Sequence, residues 1–276
     1  MDYVQEFLKQ CLCLDTESTG LDPINDEICE LGLYRYIENN DYTPTSILYG
    51  TTEPIPFSAT ACNNITRRMI DGKPKFVDSI STINKLLALD KYPYIICHNV
   101  RYDRLILESH FKRVDNNLEF AKDNKFICTM RLAKQLHKPT SLEDTLSYSL
   151  SYLRYFLNAN VPDEFGTHRA QDDAYVCGKI LEKLVEEIYQ MFKDEINSVD
   201  DLGNIVYQLS SAPIVYEELP IGKKYKGMKI REIAEIDAQY LIWCMDTIHT
   251  LKEDNINYDE DLATSILNAL EDSLED

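Results

Sequence analysis

Apolar residues recur along this chain in two periods, and the alternation between them predicts the fold. Residues 11–16 (Cys-Leu-Cys-Leu-Asp-Thr) form a continuous apolar run that turns polar at its end, the pattern of a short buried strand. Residues 27–37 predict a second, tyrosine-rich strand after the turn Asp22-Pro23-Ile24-Asn25, and residues 45–49 a third. Three strands on short connections predict an antiparallel meander. A proline-stiffened loop at Glu53-Pro54-Ile55-Pro56 precedes an ordered segment over 61–70, which ends at Asp71-Gly72-Lys73-Pro74. Apolar positions 76, 77, 80, 83, 86 and 87 then keep helical spacing, and Tyr94-Ile95-Ile96-Cys97 is a fourth, wholly apolar strand. A helix follows from about residue 100, a fifth strand at Phe126-Ile127-Cys128, and helices over 129–136 and 141–156. After a polar loop at 158–166, Ala170, Ala174, Cys177 and Ile180 begin the buried stripe of a long helix reaching about Phe192. Strand and helix alternating in the second half imply parallel pairing, so the expected class is α/β with a mixed five-stranded sheet flanked by helices.

Charge narrows the partners. The 276 residues carry 47 acidic and 28 basic side chains, a net charge of −19. That field opposes general adhesion to nucleic acid or to an anionic membrane, so a nucleic-acid partner needs a local basic patch, metal ions or another protein. No apolar run approaches the ~18 residues of a membrane-spanning helix, and Met1-Asp2-Tyr3-Val4-Gln5-Glu6 lacks the features of a signal peptide. Eight cysteines sit mostly in apolar runs without a Cys-x-x-Cys pair, which predicts reduced core thiols in a cytoplasmic protein.

The first strand ends in Asp15-Thr16-Glu17 before the turn Ser18-Thr19-Gly20-Leu21. Residues i and i+2 of a strand share a face, so Asp15 and Glu17 point into one volume, where two carboxylates repel unless a cation separates them. Alone, such a pair reads as a solvated strand end; it acquires meaning from partners. After the fourth strand comes His98-Asn99-Val100-Arg101-Tyr102-Asp103, where Tyr102, Leu105 and Ile106 predict a helix face with Asp103 beside the core. Ligands gather at the carboxyl ends of strands in such sheets, and Asp103 falls near the same end as Asp15. Asp173 lies one step from the apolar stripe of the long helix, an expensive place for an unpaired charge, and His168 stands five residues earlier on the incoming loop. Asp15, Glu17, Asp103 and Asp173 make an oxygen-rich set suited to Mg2+, with Mn2+ able to substitute. Two such ions about 3.5–4 Å apart would clamp an in-line displacement at phosphorus, and a neutral imidazole can take the proton of the attacking water.

With these residues in place the chain resembles the DEDDh (DnaQ-like) 3′–5′ exonucleases. Asp15-Thr16-Glu17-Ser18-Thr19-Gly20-Leu21 matches the first motif, His98-Asn99-x-x-x-Asp103 the second, and His168-Arg169-Ala170-x-x-Asp173-Ala174 the third. The five-residue spacing selects Asp173 over Asp172, and Arg169 stands where the tyrosine branch of these enzymes differs. The likeness covers about residues 10–195. Ile127-Cys128-Thr129-Met130-Arg131-Leu132-Ala133-Lys134 is similar to a segment of the exodeoxyribonuclease X branch, while Asn63-Asn64-Ile65-Thr66 departs from the family's usual His-Gly-Ile-Thr turn. Asn64 can still take a left-handed backbone there. The resemblance implies a ribonuclease H-like fold, with Asp15, Glu17 and Asp173 on one metal, Asp15 bridging to a second near Asp103, and His168 as general base. It implies substrate contacts from Thr16, Ser18, Thr19 and Asn99, with Leu21 as a wedge against the last base.

The C-terminal stretch differs in composition. Residues 197–217 read as a connector, and Lys223, Lys224, Lys226, Lys229 and Arg231 place five cations in nine positions. Two glycines and Tyr225 predict a tight basic hairpin, followed by an amphipathic helix holding the only tryptophan, Trp243, read as a core residue. This segment resembles the small C-terminal module of the exodeoxyribonuclease X branch, whose basic turn would bind backbone phosphate; a solvated face is the plainer alternative. From Glu253 to Asp276 nine acids and no cations surround the short stripe Ile266, Leu267 and Leu270, a solubilising tail or a docking helix.

The domain reading is therefore 1–196 exonuclease, 197–217 connector, 218–252 basic module and 253–276 acidic tail. The activity implied is metal-dependent hydrolysis of DNA from single-stranded 3′ ends, releasing nucleoside 5′-monophosphates, in DNA repair, with no membrane partner and with homodimers seen among relatives. The same chemistry on RNA, as in ribonuclease T-like relatives, is the first alternative, because the site does not read the sugar by itself. A non-catalytic DNA-end-binding adaptor is the second.

Overall fold

The computed structural model describes residues 2–36, 44–137, 147–166, 168–251 and 259–275. They form two compact units, the first running to Ser211 and the second from Ala212 to the end.

In the first unit, α1 (Tyr3–Leu8) leads into β1 (Cys11–Ser18), β2 (Ile28–Arg35) and β3 (Thr45–Leu48). Short helices α2 (Phe57–Asn63), α3 (Arg67–Ile70) and α4 (Ile80–Leu87) precede β4 (Tyr94–Cys97), α5 (Val100–Val114), β5 (Lys125–Cys128) and α6 (Thr129–Leu136). Then come α7 (Leu150–Phe156), α8 (Ala170–Phe192) and α9 (Val199–Ser211). The sheet order is β3-β2-β1-β4-β5, with β2 antiparallel to both β1 and β3, and β4 parallel to both β1 and β5. This is the expected mixed sheet, a meander continued by two parallel crossovers.

β1 divides the core. Its odd residues Cys11 and Cys13 lie in a cluster with Ala174, Cys177, Ile180 and Leu184 of α8, whereas Leu12 and Leu14 pack with Ile106, Leu107 and Phe111 of α5. The alternation of a strand thus hands one layer to α8 and the other to α5. Gly32 makes the first layer close: a Cβ there would collide with the backbone carbonyl of Ala170, so only glycine lets the first turn of α8 cross β2 at that point.

Three expectations change. Residues 197–217 are no simple connector, because α9 occupies most of them and buries Leu202, Gly203, Val206 and Ser210 in the first unit. The expected helix start at residue 141 lies outside the described residues, and α7 begins at Leu150. The ordered segment at 61–70 is two short helices joined at Asn64, whose φ of 58° is the left-handed conformation its sequence allows.

The second unit consists of a turn closed by the antiparallel bridge Glu218–Lys229, then α10 (Ile230–Thr250) and α11 (Glu260–Glu275). Leu219, Ile230, Ile233, Leu241, Cys244, Ile248, Leu262, Ala263 and Ile266 form its core. Part of the acidic tail is therefore a helix paired with α10, its Ile266 buried, and residues 253–258 lie outside the described set. Trp243 is 57% exposed rather than in the core. α10 breaks at Asp237 (φ −155°, ψ 60°), and Trp243 lies off the buried stripe of Leu241, Cys244 and Ile248.

Candidate active site

Asp15 and Glu17 leave β1 on the face that α8 covers, as their odd numbering requires. Their partners across β2 are Gly32 and Glu30. Because the first turn of α8 crosses at Gly32, Asp173, three residues beyond Ala170, arrives over the two strand carboxylates. One carboxylate oxygen from each of Asp15, Glu17 and Asp173 lies within 4.8 Å of the other two. Asp172 is turned away, accepting from the Gly166 N–H at 3.2 Å.

Asp103 reaches the site from the other layer. It lies inside the buried stripe of α5, with Ile106, Leu107 and His110, rather than beside it. Its Oδ1 accepts from the Thr16 N–H at 3.0 Å and from Thr16 Oγ1 at 2.8 Å. Thr16, the even-numbered residue between the two strand acids, thus ties Asp103 to the strand that carries them. Both Thr16 donors are committed to that tie, while its backbone carbonyl is not part of it.

This arrangement costs energy without a cation. Burial pushes Asp15 well above the ordinary carboxyl range, helped by Asp103, Asp173 and Glu17 in that order. Burial, with Asp173 and Glu30, raises Glu17 to about 8. Asp103 rises to about 7 through burial against the opposing Thr16 hydrogen bonds, and Asp173 to about 6 despite the His168 N–H. Asp173 Oδ1 is buried without a hydrogen-bond partner among the described residues. A set of hard oxygen donors, mutually repelling and holding one orphaned oxygen, fits a divalent cation.

His168 presents differently from the acids. Its backbone N–H donates to Asp173 Oδ2 at 2.9 Å, its φ is 67°, and its side chain is exposed. Histidine is among the residues that tolerate this left-handed region. The carboxylate that caps the loop thereby fixes the histidine's backbone and leaves its imidazole without a hydrogen bond among the described residues.

The next residue completes an arrangement that sequence reading missed. Arg169 Nε and Nη2 donate to the two oxygens of Glu30 at 3.0 and 2.7 Å, and the Ala170 N–H donates to Glu30 Oε2 at 3.2 Å. Glu30 is fully buried. The signal was available as a lone acid inside Ile28-Cys29-Glu30-Leu31-Gly32-Leu33, a charge that must be paired if the run is a central strand. Glu30→Gln leaves the guanidinium facing a neutral amide. We expect a loss of about 3 kcal/mol in urea unfolding and at least about a tenfold fall in turnover; wild-type turnover would show that the pair does not position His168.

The turn residues sort by what they touch. Ser18 Oγ donates to the Gly20 carbonyl at 2.6 Å and meets the Tyr102 hydroxyl, while Thr19 Oγ1 donates to Asp26 at 2.8 Å and accepts from the Glu27 N–H at 3.0 Å. Both side chains hold the turn. Leu21, at its tip, is 76% exposed and free to meet a ligand. Asn99 sits exposed just before α5, its side chain capping nothing. His98 is half-buried between Thr129 Oγ1 and the Tyr148 carbonyl, both at 2.9 Å, and desolvation lowers it to about 4, so it is a neutral brace. Lys223, Lys224 and Lys226 belong to the second unit.

A ribonuclease H-like mixed sheet with a carboxylate cage at the carboxyl end of β1 and an unencumbered histidine beside it defines a metal-dependent phosphodiester hydrolase. The comparisons give the family. Residues 12–181 match the exonuclease family model, and residues 224–248 match the model for the exodeoxyribonuclease X-like C-terminal region. The chain belongs to this exonuclease family and is a 3′–5′ exonuclease. Exodeoxyribonuclease 10 of Escherichia coli strain K12 is 24% identical over 238 residues, which are 86% of this chain and 91% of that one. A PolC-type DNA polymerase III of Caldanaerobacter subterraneus subsp. tengcongensis is 26% identical over 220 residues, but these are only 14% of its length against 78% of this chain. Among solved structures, exonuclease X in complex with 5′ overhanging duplex DNA matches with a TM-score of 0.50 and 24% identity, over 71% of this chain and 99% of that one. That likeness bears on the fold.

Proposed function

We propose that this chain hydrolyses DNA from single-stranded 3′ ends, releasing nucleoside 5′-monophosphates, with Asp15, Glu17, Asp103 and Asp173 holding two Mg2+ ions, for which Mn2+ can substitute. The observation that carries the reading is the oxygen cage of Asp15, Glu17 and Asp173 beside the exposed His168. The ions supply neutralisation of charge on the entering and leaving oxygens. Asp15, Glu17 and Asp173 hold their carboxylates in register from one strand and one helix, and Asp103 is kept in place by Thr16. His168, whose imidazole is exposed, accepts the proton of the attacking water. Leu21 bears on the terminal base, with Asn99 exposed near the same sheet end. The second unit's Lys223, Lys224 and Lys226 favour a polyanion.

DNA is preferred over RNA because the relative spanning nearly the whole chain is an exodeoxyribonuclease. The buried, unpaired cysteines suit a reducing, cytoplasmic setting, where DNA repair would engage the enzyme as monomer or homodimer. The test is a time course on matched 5′-labelled DNA and RNA single strands, with Mg2+ and with EDTA. A descending DNA ladder that vanishes in EDTA is expected. Intact DNA beside degraded RNA would transfer the reading to a ribonuclease, and no cleavage of either would make the chain an adaptor.

A further inference from the structure

The second unit carries a surface that the hydrolytic site does not use. Its turn from Lys223 to Arg231 holds five cations and no acid, in a chain of net charge −19. Lys223, Lys226 and Lys229 are exposed and have no side-chain partner among the described residues. Lys224 is spent otherwise. Its Nζ donates to Asp237 Oδ2 at 2.6 Å and lies 4.7 Å from the Tyr225 ring centroid and 5.9 Å from that of Tyr240.

Asp237 is the node of this surface. At the break in α10 its Oδ2 also accepts from the Tyr225 hydroxyl at 3.0 Å, and its Oδ1 accepts from the Tyr240 N–H at 3.3 Å, capping the second half of the helix. The turn is thereby fastened to the helix from both sides. Gly222, at φ 81°, lies so near the Tyr240 hydroxyl that a Cβ would collide with it. Tyr225, Tyr240 and Trp243 then follow as a row of rings, with centroids 5.1 and 5.6 Å apart, and the row ends at Trp243. Leu241 and Cys244 fill the core side of the same helix, so the largest side chain has been placed outward, with Ile236 61% exposed nearby.

An exposed ring at the end of a braced aromatic row that starts at Tyr225, inside the lysine-rich turn, matches the way sequence-tolerant single-strand binders work: cations follow the phosphates and rings stack on bases. We propose that this face binds a single strand of nucleic acid, with Trp243 stacking on a base, Lys223 and Lys226 meeting phosphates, and Lys224 bracing the turn. The proposal rests on the exonuclease reading for its ligand and adds a second foothold on that ligand. A protein partner would have no use for a lysine-rich turn joined to an exposed aromatic row unless it were strongly acidic, and a polyanion with flat bases satisfies both features.

Trp243 is the only tryptophan in the chain, so its fluorescence reports this face alone. The full chain is titrated with a 5′-labelled oligo-dT strand in EDTA, where hydrolysis is off and the carboxylate cage repels phosphate, while label anisotropy is followed in parallel. We expect saturable quenching of Trp243 that tracks the anisotropy. Lys223→Ala with Lys226→Ala should make the slope of log K against log salt shallower by about 1.4. Trp243→Ala should weaken binding about tenfold and Trp243→Phe should largely restore it. DNA binding with constant Trp243 emission and unaltered affinity in Trp243→Ala would overturn the proposal and leave the exonuclease reading intact. The same null with no DNA cleavage in Mg2+ would remove both. Quenching by a poly-glutamate peptide but not by DNA would give the face to an acidic protein partner.

Discussion

Asp15→Asn should abolish exonuclease activity, lowering turnover by about 10³-fold or more, while making the metal-free protein more stable. The two effects have one origin. Asp15 is raised by burial and by every other acid of the cage, so removing its charge relieves the repulsion that a divalent cation otherwise relieves. Losing it as a ligand forfeits several kcal/mol of charge stabilisation in the transition state. The sign of the pH dependence follows. Glu17, Asp103 and Asp173 sit at about 8, 7 and 6 in the folded chain, against roughly 4 for unfolded carboxyls. Between those limits the folded state binds more protons than the unfolded one, so stability present near pH 4 is lost as pH rises to about 8. In EDTA the melting temperature should fall by at least about 5 °C across that range, since each kcal/mol moves it about 2–4 °C in a domain of this size. Mg2+ or Mn2+ should restore it at the alkaline end, and Asp15→Asn should flatten the profile. A flat wild-type profile in EDTA would contradict the crowding of the cage.

His168→Ala separates the proton-transfer role from the ligand role. The expected loss is about 10²–10⁴-fold in turnover. Calorimetric binding of Mn2+ should remain near wild type, because His168 contributes its backbone N–H to Asp173 and its side chain to nothing else among the described residues. Alanine keeps that N–H, though the left-handed φ of 67° suits it less well than histidine. His168→Asn, which tolerates the same backbone, is the cleaner companion. Equal damage to metal affinity in both variants would show that the imidazole is itself a ligand.

The sheet and the cage were legible because both rest on periodicity. β1, β4 and β5 are short apolar runs with few alternatives, and the i, i+2 pairing of Asp15 and Glu17 is a property of any strand. The five-residue step from His168 to Asp173 is equally local, since it falls at one helix start and closes with the His168 N–H on Asp173. The misread parts are those where a residue's meaning depends on a distant partner. Glu30 sits in an apolar strand and is explained only by Arg169. Ser18 and Thr19 bond to Gly20, Tyr102 and Asp26, partners that their sequence positions do not announce. Trp243 reads as core in an amphipathic helix, but the buried stripe of Leu241, Cys244 and Ile248 passes it by. The stretch 199–211 resembled a linker because its acidic residues mask a stripe that α1, α6 and β5 complete.

The division of β1 between two layers also governs when the enzyme becomes dangerous. Asp15 and Glu17 emerge early from synthesis, but the side chains that complete their cage come from opposite sides of the sheet, and Asp173 comes last. A nascent chain, or one that has lost either layer, carries scattered acids and no nuclease. Competence to cut arrives only with the finished fold.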